Sequence, residues 1–94
     1  MPTLCMLSAA QCRAARAMLD WSADRLSSAS RVDARTIALF EARFKRPDES
    51  VLRRIRHAFE RAGIAFIAES ERGAGVRFKF NAREVREIKR WESE

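Results

Sequence analysis

Arginine supplies most of the chemistry this sequence offers. Nineteen Lys and Arg stand against thirteen Asp and Glu, a net charge of +6, and only Lys45, Lys79 and Lys89 of the nineteen are lysines. A guanidinium is a planar fork of donors that fits phosphate oxygens and base edges, so the excess points to an anionic partner, nucleic acid first. The groups that would do bond-making chemistry are scattered. Cys5 and Cys12 form no C-x-x-C motif and no zinc pattern with the lone His57. Glu69, Glu71, Glu92 and Glu94 have no acid/base partner at a useful spacing, and Gly73-Ala-Gly75 does not precede a helix as a phosphate loop would. No catalytic constellation, cofactor box or metal-ligand set is present, so the chain reads as a binder and not an enzyme.

The elements that must position those arginines follow from local signals. Ser8 and Gln11 fit a capping box that opens a first helix, with Cys12, Ala15, Met18 and Leu19 on its inner face. Ser22 caps a short second helix that carries Asp24 in its first turn and ends near Ser30. Arg31 and Val32 form a tight connection. Asp33 is placed to cap a third helix with Ile37 and Phe40 on one face, followed by a basic loop, Ala42 to Pro47. Asp48 is placed to cap a fourth helix, whose stripe of Val51, Leu52, Ile55, Phe59 and Ala62 runs to Gly63, while Arg53, Arg54, Arg56, Glu60 and Arg61 take the wet side. The period then changes. Ile64 to Ala68 is a continuous apolar run, and Val76, Phe78 and Phe80 alternate with Arg77 and Lys79, which predicts a β-hairpin. Asn81 and Glu84 fit the start of a last short helix with Val85, Ile88 and Trp91.

The segment Trp21 to Glu41 carries a resemblance. Ser22-Ala-Asp-Arg-Leu26, Val32-Asp-Ala-Arg-Thr-Ile37 and Phe40-Glu41 resemble the Cro/repressor-like (Xre) helix-turn-helix family of small bacterial transcriptional regulators, and the likeness runs from about residue 8 to residue 64. It implies a mostly α fold with a small β element. A lambda-repressor-like head of four to five helices, residues 8–63, would be followed by a β-hairpin and a short helix, residues 64–94, as a dimerisation tail. It also implies a recognition helix over about 33–42 in the major groove. The sequence departs from the family at Ala23, where Gln is usual, and at Arg31 and Arg43, where Gly is usual.

Roles follow from the same resemblance. Ala34, Arg35 and Leu39 match base-reading positions, and only Arg35 has the fork to grip a guanine edge. Thr36, Arg43, Lys45 and Arg46 are the candidates for phosphate contacts. Arg16 and Glu41 match a structural ion pair that holds the recognition helix against the first helix. The expected function is sequence-specific binding of double-stranded DNA as a homodimeric transcriptional regulator, without cofactor or metal. The alternative is an antitoxin or adaptor that keeps the fold and uses the tail to hold a protein partner.

The apolar hairpin, with Ile64, Phe66, Ile67, Val76, Phe78 and Phe80, is the expected dimer interface, because a lone two-stranded ribbon is marginal and its edges invite pairing. The alternative is that it folds back on its own head. No apolar run approaches the ~20 residues that span a bilayer, and Met1 to Leu7 lacks the basic start and long apolar stretch of a signal peptide. The expected location is the cytoplasm, on the nucleoid through DNA binding.

Overall fold

The computed structural model describes residues 7–68 and 72–79. They form four helices and a two-stranded antiparallel hairpin in the order α1 (Ala9–Leu19), α2 (Ala23–Ser30), α3 (Ala34–Glu41), α4 (Glu49–Arg61), β1 (Ile64–Ile67) and β2 (Gly75–Phe78). The last helix expected from Asn81 onward, with Val85, Ile88 and Trp91, lies outside the described residues, as do Cys5 and Phe80.

Local chemistry sets the helix starts unevenly. At α1 the capping box closes both ways: the Gln11 backbone N–H donates to Ser8 Oγ at 3.0 Å, and the Ser8 N–H donates to Gln11 Oε1 at 2.9 Å. At α2 the Ser22 hydroxyl accepts from the Arg25 N–H at 3.0 Å. Asp33 and Asp48 occupy the N-cap positions of α3 and α4, but neither side chain takes a capping hydrogen bond. What holds α3 at its start is the preceding turn, which two serines fasten. Ser27 Oγ donates to the Val32 carbonyl at 2.6 Å, and Ser30 Oγ accepts from the Val32 N–H at 3.3 Å while donating to the Leu26 carbonyl at 2.7 Å.

Among the described residues three take left-handed backbone without being glycine: Asp20, Arg31 and Arg43, with φ of 55°, 59° and 63°. A side chain there crowds the next carbonyl and costs about 1–2 kcal/mol. Gly63, at φ 98°, ends α4 with no such penalty and turns the chain into β1.

One core joins all the elements. Cys12 and Ala15 from α1, Leu26 from α2, Val32, Ile37 and Phe40 from the turn and α3, and Leu52, Ile55 and Phe59 from α4 are all buried in it. Phe59 stacks on Trp21 at a centroid distance of 5.9 Å and meets the edge of Phe66 at 6.0 Å.

The hairpin is part of this core. Its register pairs Ile64 with Phe78 and Phe66 with Val76, which puts those four on the face toward the helices. β1 lies on α4, and β2 lies on α1. Ile64, expected at a dimer interface, is instead 1% exposed inside the core of its own chain, and Phe66 and Val76 pack against that core. The physical reason is that Trp21 and Phe59 offer an apolar floor within reach, so the ribbon covers its inner face without a second chain. Ile67 and Phe78 keep 42% and 41% of their surface exposed. A polar tie reinforces the docking: Gln11 Nε2 donates to the carbonyls of Gly75 at 3.1 Å and Ile67 at 3.3 Å.

Candidate nucleic-acid interface

The α3 surface is divided by its own period. Ile37, Phe40 and Glu41 are buried, Arg35 and Ala38 are exposed, and Ala34, Thr36 and Leu39 are half-buried. Ala34, Arg35, Ala38 and Leu39 thus line the outer side of the helix one turn apart. Arg35 is exposed and makes no hydrogen bond or ion pair among the described residues. Ala38 was not among the sequence candidates. Only its exposure brings it in, since a lone alanine in a helix carries no signal of its own.

The other end of α3 is held from α1. Arg16 forms a two-pronged ion pair with Glu41: Nη2 to Oε1 at 2.7 Å and Nε to Oε2 at 2.8 Å. Its remaining arm donates to the Trp21 carbonyl at 3.0 Å, so one side chain ties the α1–α2 connection to the end of α3. Arg13 adds a hydrogen bond to the Glu41 backbone carbonyl.

Cys12 is the member that sequence reasoning missed. Its buried thiol donates to Glu41 Oε2 at 3.1 Å. Burial, then the hydrogen bond to the Glu41 carboxylate and the charge of that carboxylate, push the thiol pKa far up, so it stays a protonated donor. Burial alone would raise the pKa of Glu41. The hydrogen bonds from Arg16 and Cys12, with the charges of Arg16 and Arg13, outweigh it and hold the carboxyl below its ordinary range. The network ties the end of α3 to α1.

The loop after α3 gathers the basic candidates. Arg43, Lys45 and Arg46 are all exposed. Thr36 and Leu39 line a shallow cleft of about 280 Å³ together with Lys45, Arg46, Pro47, Asp48 and Val51, so the loop cations sit beside the outer side of α3. Arg46 has structural duties as well. Nη1 donates to the Leu7 carbonyl at 2.9 Å, and its guanidinium lies 5.8 Å from the centre of the Phe40 ring. Between these cations stands Phe44, 82% exposed. A large aromatic set between Arg43 and Lys45 in a basic stretch is the signal that could have marked it from sequence.

Among the described residues no group of three His, Cys, Asp or Glu is placed to hold a metal ion, and no helix is long and apolar enough to cross a membrane. The outer side of α3 and the loop cations Lys45 and Arg46 form one positively charged surface. Comparison of the sequence with known protein families finds no family that matches, and comparison with curated proteins finds no match either.

Proposed function

We propose that the chain is a sequence-specific, double-stranded DNA-binding transcriptional regulator that acts as a homodimer, with a lambda-repressor-like head whose helix α3 enters the major groove. The observation that carries the reading is Arg35: an exposed guanidinium with no hydrogen bond or ion pair among the described residues, on a helix anchored at its end by Arg16 and Glu41, with Lys45 and Arg46 beside the same side of that helix. Such a fork, held at fixed height, can bind O6 and N7 of a guanine while the loop cations meet phosphates. The α2–turn–α3 segment would dock as a helix-turn-helix, α2 crossing the backbone and α3 lying in the groove. The test is selection of bound duplexes from a random pool, followed by titration of the selected and a scrambled duplex across salt. The expected result is an enriched half-site, and an affinity that falls steeply with salt, by about 0.9 in log–log slope for each phosphate neutralised. A flat salt response with no enriched sequence would reject the reading.

One observation favours a second reading, an adaptor or antitoxin that holds a protein partner. Phe44 at 82% exposure, together with Ile67 and Phe78, offers apolar surface that phosphate binding does not need. On that reading Phe44→Ser leaves DNA binding intact and abolishes partner binding. On the DNA reading it weakens the duplex complex, because the ring packs on sugar or a thymine methyl beside the loop cations.

A further inference from the structure

A second cleft lies away from Lys45 and Arg46, between the end of α2 and the outer face of α4. It is an open depression of about 550 Å³, lined by five arginines, at positions 31, 53, 54, 56 and 61, with His57 and a single carboxylate, Glu60. Glu60 pairs with Arg56 only at 3.4 Å. A convergence of like charges is self-repelling unless something anionic lies among them. Two of the guanidiniums are already aimed by main chain: Arg61 Nη2 donates to the Ala29 carbonyl at 3.1 Å, and Arg54 Nη1 donates to the Arg31 carbonyl at 3.4 Å. These bonds occupy carbonyls at the end of α2 that would otherwise repel an anion, and each fork keeps further donors for a ligand.

We infer that this cleft is a binding site for contiguous phosphate groups. Its volume falls in the range of small-ligand sites. Its lining contains no apolar side chain larger than alanine and no aromatic ring apart from the imidazole, so charge and not ring stacking selects the ligand. A planar carboxylate is satisfied by one fork, whereas a tetrahedral phosphate offers oxygens to forks arriving from both walls, Arg31 on one and the α4 arginines on the other. The same chemistry has two sources, a soluble polyphosphate such as a nucleoside triphosphate, and the backbone of DNA. The site stands without the DNA reading, since its first test contains no DNA.

That test is calorimetric titration of inorganic tripolyphosphate into the full chain, with sodium sulfate at matched ionic strength as the control. The expected result is saturation at one tripolyphosphate per chain, weakened at least tenfold in the double variant Arg54→Gln, Arg61→Gln, whose thermal melt checks that it is folded, since both side chains are exposed but each also donates to a carbonyl at the end of α2. A short duplex then separates the sources. If the double variant loses tripolyphosphate binding but keeps its duplex affinity, the ligand is soluble. If both fall and tripolyphosphate displaces the duplex, the cleft takes backbone phosphates. Equal binding of tripolyphosphate by parent and variant, or binding no tighter than sulfate, overturns the inference.

Discussion

At the scale of single residues, Arg35 and Lys45 offer the same charge in two settings, and they should behave differently. Arg35 sits on the outer side of α3, Lys45 in the loop beyond its end. Replacing Arg35 by Ala should relax preference at one base pair of the half-site by about 1–3 kcal/mol, the worth of a bidentate contact. Replacing Lys45 by Ala should weaken all duplexes alike and lower the salt slope by about 1. Lys45 is a cleaner probe than Arg46, which also holds Leu7 and covers Phe40. Indistinguishable selectivity profiles for the two variants would remove Arg35 from the reading of bases.

Glu41 gives the residue scale a pH signature. Its carboxyl is held below its ordinary value of 4.5 in the folded chain. A depressed carboxylate stabilises the fold above the unfolded value, and that contribution is lost as pH falls through the folded one. Denaturant midpoints should therefore decline as pH drops below 4.5, and Glu41→Gln, less stable at neutral pH, should decline less. Parallel curves for parent and variant would place the acid sensitivity elsewhere.

At the scale of elements, what was legible in the sequence is what is local. Ser8 with Gln11, and Ser22, announce their helices because a capping bond spans three residues. The α4 stripe is legible for the same reason. Arg16 and Glu41 meet across two helices, and they were reached only through the resemblance of their positions to a known pattern. Cys12 had no such guide, and neither did Ser27 and Ser30, whose hydroxyls fasten the Arg31 turn. Asp33 and Asp48 show the converse, since correct N-cap positions did not bring the capping bonds.

Two elements invite direct tests. Gln11 serves the α1 cap with its oxygen and the hairpin with its nitrogen. Gln11→Glu keeps an acceptor for Ser8 but turns a carboxylate toward two carbonyls, at a cost of about 1–3 kcal/mol. Hydrogen exchange should quicken in β1 and β2 while α2 and α3 keep their protection; uniform quickening would show that the tie is not local to the hairpin. Arg43 holds left-handed backbone in the loop proposed to meet phosphate. Arg43→Gly relieves about 1–2 kcal/mol of crowding and returns about 1 kcal/mol through the freer unfolded chain. Stability should hold or rise slightly while duplex affinity falls. A loss of both would mean that the side chain supports the fold.

At the scale of the whole molecule, the direction taken by the hairpin decides what a dimer can be. The alternation of apolar residues over β1 and β2 is the same whether the ribbon covers its own head or another chain, so sequence could not choose. The structure spends Ile64, Phe66 and Val76 inward. Cutting the chain at Gly63 would remove part of the core, so such a truncation cannot test association. The register leaves Ala65, Ile67 and Arg77 on the outer face, with Gly75 opposite Ile67, so the exposed side of Ile67 has room for a neighbour. Phe78 belongs to the inner face at the ribbon's end. If two chains associate through this ribbon, the contact is isologous and centres on Ile67. It must also set the two α3 helices about 34 Å apart to match one turn of DNA. Ile67→Lys should therefore convert a dimer to monomer in sedimentation equilibrium at micromolar concentration, with the melting temperature little changed because the side chain is already 42% exposed. Phe78→Lys should leave association intact. A parent chain that sediments as a monomer on its own and on a palindromic duplex, or an Ile67→Lys variant that still dimerises, would remove the hairpin from the assembly and leave DNA binding to single heads.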